Sequence, residues 1–199
     1  MKTVTIAAII LSVLANAAAP AAEPGATTVA APSDLPPAVG LSPSEAKERA
    51  ALFAALAATK SDAEAREVED RLWTFWRSFA DGESKELLEQ SRQAQLRFDY
   101  DEAIIYMKAL VKHAPQFAEG WNQLGYVYFL AGQYDASLDA IDHVLKLEPM
   151  HYAALAGRGI ILMQEGRVAE AQVALKRALA IDPWLKERNL IGEDRIPEP

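Results

Sequence analysis

The stretch AEGWNQLGYVYFLAGQYDASLDAIDHVLKLEP, residues 118–149, decides the fold. Its large apolar residues fall at helical spacing in two runs, and Gly132 separates them, so it reads as two short helices joined by a tight turn. The same frame returns on either side. Pro115, Pro149 and Pro183 stand 34 residues apart, as do Gly125 and Gly159, and Gly132 and Gly166. A chain repeating at this interval stacks helical hairpins, none of which can bury its apolar face alone.

The residue types at fixed places sharpen this. Trp121, Leu124, Gly125 and Tyr128 lie on the first helix of the unit, Ser137, Ile141 and Val144 on the second, and Pro149 ends it. This set resembles the tetratricopeptide repeat family, and in particular its small exported bacterial members. The next unit places Leu155, Gly159, Leu162, Gly166, Ala171, Leu175, Ala178 and Pro183 in the same frame, with Arg158 where the family prefers Leu. The preceding unit keeps Tyr100, Ala103, Met107, Leu110 and Pro115 on its second helix, but Gln90 and Ser91 replace Leu-Gly on its first, which weakens the expectation of close packing there. The resemblance implies an all-α, right-handed helical-hairpin solenoid of three repeats, at 84–117, 118–151 and 152–185. Small residues let helices approach, and Gly132 and Gly166 suit left-handed caps.

Two shorter segments precede the repeats. Ser42-Pro43-Ser44-Glu45 and Ser61-Asp62-Ala63-Glu64 are both capping boxes, so helices begin there. The second carries Val68, Leu72, Phe75, Trp76 and Phe79 on one stripe and is expected to end at Gly82. Residues 42–83 therefore read as an N-terminal helical hairpin capping the apolar end of the stack, with Trp76 in the cap interface and Trp73 off the main stripe. After the repeats, Trp184 and Leu185 are expected to open a short helix reaching Leu190, followed by a tail, 186–199 together.

The first 21 residues have the form of a secretory signal: Lys2, then an apolar run from Val4 to Ala15, then small residues offering Ala-x-Ala cleavage sites. That run is too short for a membrane span. The expected destination is the bacterial periplasm or the exterior, with no stable membrane insertion after cleavage. Residues 22–41 are rich in Ala and Pro and read as an extended, disordered linker. The net charge of −8 argues against nucleic-acid partners, and the lack of cysteine excludes disulfides and thiol chemistry.

Nothing in the sequence forms a catalytic constellation, and no cofactor is expected. His113, His143 and His151 do not share a helical face, which argues against a metal site. Glu67 and Glu69, like Asp139 and Asp142, read as a charged outer helix face. The expectation is a non-catalytic adaptor.

In the family that this chain resembles, first helices line a concave groove. Carried over by frame, the partner-contacting positions are Asn122, Gln123, Tyr126, Phe129, Ile160 and Met163. The Lys, Asn and Arg residues of a carboxylate clamp are sparse: only Lys85, Asn122 and Arg92 stand at suitable places. The groove reads as aromatic and aliphatic, fit for an extended peptide or amphipathic helix. A self-associating envelope module, stacking through the last repeat around Trp184 and Leu185 as a homo-oligomer, is the alternative. A third possibility is that the N-terminal helices cover the groove.

Overall fold

The computed structural model describes residues 35–191. Eight α-helices run in order: α1 Pro43–Ala57, α2 Asp62–Arg77, α3 Gly82–Leu96, α4 Tyr100–His113, α5 Ala118–Leu130, α6 Tyr134–Leu147, α7 Tyr152–Gln164 and α8 Val168–Ile181. A short 3-10 helix, Lys186–Leu190, follows. The leader, residues 22–34 of the linker and the tail from 192 lie outside the described residues.

Helices α3/α4, α5/α6 and α7/α8 are antiparallel hairpins, and they stack in sequence through α4 against α5 and α6 against α7. Each second helix stops two residues before its proline, at His113, Leu147 and Ile181. Proline disfavours helical backbone in the residue before it and cannot donate to the ladder. The turns inside the hairpins are also copies of one another. Asp99, Gln133 and Arg167 donate their N–H groups to the carbonyls of Ala94, Tyr128 and Leu162 at 3.0, 2.9 and 2.9 Å. This is the six-residue closure of a left-handed helix cap. Gly132 and Gly166 supply it with φ of 72° and 75°, and Phe98 occupies the same place in the first repeat with φ of 59°.

Close approach within each hairpin is achieved three ways at one site. In the second repeat Ser137 Oγ donates to the Gly125 carbonyl at 2.6 Å. In the first the roles reverse, and Ser91 Oγ donates to the Ala103 carbonyl at 3.3 Å. Ser91 is fully buried, so α3 packs closely although Leu-Gly is missing. In the third, a methyl group on Gly159 would lie 2.6 Å from Leu175 Cγ, so only glycine fits.

Local signals at the N-terminal hairpin were partly kept. Ser42 and Glu45 make the full box, Glu45 N–H donating to Ser42 Oγ at 3.3 Å and Ser42 N–H to Glu45 Oε2 at 2.7 Å. At Ser61 only half forms: Glu64 N–H donates to Ser61 Oγ, but the Glu64 carboxylate accepts from Lys60 N–H instead. Helix α2 ends at Arg77, five residues short of Gly82, which instead opens α3 behind the Asp81 cap. Phe79 thereby leaves the stripe and is 37% exposed.

The hairpin is not an end cap stacked on α3. It lies along the edge where each second helix passes to the next first helix. Leu52, Phe53, Leu56, Leu72, Phe75 and Trp76 share one core with Tyr152, Leu155 and Ala156 of α7 and Ala178 and Ile181 of α8. Trp184 and Leu185, expected to open the last short helix, precede it and pack partly buried against this core. The end of the linker is held as well. Val39 N–H donates to the Leu147 carbonyl at 2.8 Å, and Leu35 and Leu41 pack on the hairpin core. Residues 35–41 are thus held in place by two apolar side chains and one backbone hydrogen bond, while Val39 points its side chain to solvent.

Candidate protein-interaction surface

Three contacts, one of them an aromatic stack, fix the hairpin to the repeats. Arg49, on α1, donates from Nε and Nη2 to Glu148 Oε2 and Oε1 at 2.6 and 2.5 Å. Both side chains are 4% exposed, and a bidentate fork in such a setting tolerates little displacement. Trp76, on α2, lies flat on His151, with Trp73 packed edge-on against both rings. His151 is wholly buried: its Nδ1 accepts from Ala154 N–H at 3.2 Å and caps α7, while Nε2 lies 3.4 Å from Glu119 Oε2 without hydrogen-bond geometry. The third link joins Glu69 of α2 to Asp182 at the end of α8. Burial, then the neighbouring Asp182 carboxylate, pushes Glu69 up to about 8. Burial also raises Asp182, whose Oδ1 accepts from Trp184 N–H at 3.0 Å. Oδ2 of Asp182 is buried without a hydrogen-bond partner, and the raised Glu69 carboxyl beside it favours its neutral form. Tyr152 sits beside them, its hydroxyl buried without a partner and raised by burial and by the Glu69 charge.

Sequence reasoning placed Glu69 on an outer face and gave His151 no role beyond its separation from the other histidines. Both are interface residues. A signal was available: Glu148 and Asp182 stand 34 residues apart, each just before a repeat's proline, and both are under 4% exposed. An acidic residue recurring at one frame position marks the edge that the hairpin grips.

The six frame-derived positions divide in two. Asn122 Nδ2 and Gln123 Nε2 donate to the buried carboxylate of Glu119 at 3.0 and 2.6 Å, so their amides are engaged inside the protein. Ile160 is 6% exposed and belongs to the packing. Tyr126, Phe129 and Met163 remain half-buried, further along α5 and α7 than the hairpin reaches. Phe129 and Met163 also pack at the edge of the core between the second and third repeats. The clamp residues do not assemble: Arg92 is paired with Glu89 on its own helix. The histidines occupy separate settings, His113 against Asp81 and Glu83, His143 stacked on Trp121, and His151 in the hairpin interface.

This geometry defines a class, a helical-repeat scaffold with its own N-terminal hairpin packed against α7 and α8. The tetratricopeptide repeat family model matches residues 97–143 and 124–183. A tetratricopeptide repeat-containing protein of Rhizobium etli is 35% identical over 81 residues, 41% of this chain and 40% of that relative. The chain thus spans well under half of the curated relative it matches. Among solved structures, the first repeat domain of Spaghetti (RPAP3) bound to an HSP90 peptide has 18% identity and a TM-score of 0.50, covering 52% of this chain and 82% of its own. The yeast Sti1 TPR2B domain in complex with pHsp70 has 13% identity and a TM-score of 0.51, covering 55% and 90%. The CopN-Scc3 complex has 21% identity and a TM-score of 0.51, covering 57% and 68%. Residues 97–183 of this chain thus carry the tetratricopeptide repeat pattern. Among the described residues, no helix is long and apolar enough to cross a membrane.

Proposed function

We propose that this chain is an exported, non-catalytic adaptor that holds a peptide or partner protein against the uncovered half of its concave face. Comparable repeat domains are seen with bound peptides, the Spaghetti domain with SRMEEVD among them. The observation that carries the reading is that the hairpin packs on α7 and α8 while Tyr126, Phe129 and Met163 stay half-buried. The hairpin's buried Leu52, Phe53, Leu56, Leu72, Phe75 and Trp76 represent on the order of 10 kcal/mol of apolar burial. A peptide that took their place would have to replace that burial as well as supply its own binding energy. A ligand therefore meets Tyr126, Phe129 and Met163, which stay accessible. The leader places the adaptor in the periplasm or beyond.

Co-purification of the full mature chain from its native envelope, beside a Tyr126→Ala, Phe129→Ala variant with unchanged circular dichroism, tests this. A partner lost only from the variant supports the reading. A partner retained by both moves the site elsewhere.

The self-association reading keeps one supporting observation, at the opposite end from the one the sequence suggested. Leu96, Phe98 and Ile105 of the first repeat are 62%, 78% and 65% exposed. Light scattering of a Leu96→Ser, Phe98→Gly, Ile105→Ser variant beside the parent decides it. A monomeric parent at high concentration removes that reading.

A further inference from the structure

We propose that the outer face of the stack carries a second docking site, a cleft between α4, α5 and α6 that takes an extended peptide segment presenting a carboxylate beside an apolar side chain. It is separate from the concave face and does not rest on it. The cleft encloses about 380 Å³ and is lined by Lys108 and Lys112 of α4, Trp121 and Leu124 of α5, and Asp139 and His143 of α6, with smaller apolar neighbours. That volume suits a few side chains rather than a helix.

The repeat supplies its own comparison. The equivalent cleft one unit on, between α6, α7 and α8, has Asp142 where Lys108 stands and Arg158 where Leu124 stands. There Arg158 donates to Asp142, and the two charges satisfy each other across the cleft. In the first cleft that bridge is gone. Leu124 is 3% exposed and forms apolar floor. Lys108 and Lys112 have no ion pair or hydrogen bond among the described residues. Asp139 contributes one carboxylate against two ammonium groups. In a chain of net charge −8, two uncommitted lysines at an apolar cleft select for an anion. Their long stems let the ammonium groups reach a carboxylate at the rim while its neighbour fills the floor.

The aromatic wall is preset. His143 lies flat on Trp121 with ring centroids 4.1 Å apart, and Trp121 Nε1 donates to the Pro115 carbonyl at 2.9 Å. A ligand finds a fixed surface and does not have to order it.

The test is a titration of the ¹⁵N-labelled full chain with acetyl-Leu-Asp-Phe-Asp-amide and with its Asn counterpart, acetyl-Leu-Asn-Phe-Asn-amide. The expected result is shifts at the Trp121 indole N–H and the Lys108–Lys112 backbone, and about tenfold weaker binding of the Asn peptide, the equivalent of 1.4 kcal/mol. Lys108→Gln with Lys112→Gln loses a similar factor and keeps the parent's circular dichroism, since both side chains are solvent-exposed. Added salt weakens binding. The Tyr126→Ala, Phe129→Ala variant binds like the parent, which separates this site from the groove. Equal affinity for the two peptides, retained binding by the charge variant, or shifts centred on Tyr126 overturns the proposal. So does a shift of the Trp121 indole on Glu193→Lys, Asp194→Lys substitution without peptide, which assigns the cleft to the chain's own acidic tail.

Discussion

Trp76 lies on the imidazole of His151 with ring centroids 4.1 Å apart and planes 11° from parallel, and this contact joins the N-terminal hairpin to the start of α7. Trp76 is 4% exposed and His151 wholly buried, so neither ring has another place to go. Truncation of a buried Trp costs about 3–5 kcal/mol. Trp76→Ala is therefore expected to lower the thermal midpoint by roughly 10 °C for a chain this size. The loss is expected to be local first: hydrogen exchange speeds up in α1 and α2 while α4 to α6 keep their protection. Uniform acceleration would mean that hairpin and repeats unfold as one unit.

Arg49 and Glu148 test how much the hairpin depends on charge. Two ions buried to 4% exposure at 2.5 Å gain from each other, but each gave up its hydration. Arg49→Met leaves Glu148 charged and unpaired, which is expected to cost about 3–5 kcal/mol in chemical denaturation. Adding Glu148→Leu is expected to restore most of that. Equal losses in the single and double variants would show that the fork's geometry, not the stranded charge, is what matters.

The repeats were legible in sequence because their signal is periodic. Gly132, Gly166 and the three prolines mark turns whose geometry is local, and the structure places them there. The hairpin's position was not legible. Arg49 and Glu148 are 99 residues apart, and no spacing rule links an arginine on one amphipathic helix to a glutamate before a distant proline. The same gap explains the groove. The frame places residues along the first helices but not their side chains' partners: Asn122 and Gln123 are turned to the buried carboxylate of Glu119. Ser91 was misjudged for a simpler reason: serine is small enough for the glycine site and brings its own donor.

Glu69 predicts a pH dependence. Its folded-state value is raised to about 8 from an ordinary 4.5, first by burial and then by Asp182, with Asp62 adding to and Arg66 opposing the shift. Between those limits the folded chain keeps a proton that the unfolded chain has released. Stability from this group is therefore full below about pH 4.5 and lost as pH rises towards 8. Glu69→Gln keeps a neutral donor opposite Asp182. It is expected to leave the midpoint little changed at pH 5 and to raise it by several degrees at pH 8, an effect of about 1–3 kcal/mol. Parallel melting curves for parent and variant from pH 5 to 8 would place the proton elsewhere.

Phe98 stands in the left-handed cap that Gly132 and Gly166 fill in the other repeats, with φ of 59° against their 72° and 75°. A side chain in that region costs about 1–2 kcal/mol relative to right-handed backbone, while glycine adds about 0.5–1 kcal/mol of unfolded-state entropy. The ring recovers little by burial, being 78% exposed. The difference favours glycine, so Phe98→Gly is expected to stabilise by about 0.5–1 kcal/mol, a rise of about 2–3 °C in thermal midpoint. Gly132→Phe is expected to lose a similar amount, since nothing lies within 4 Å of where its Cβ would be and only backbone strain changes. A Phe98→Gly variant less stable than its parent would show that the ring makes a contact worth more than the strain, and would turn attention to Leu96 and Ile105 as its neighbours on the first repeat.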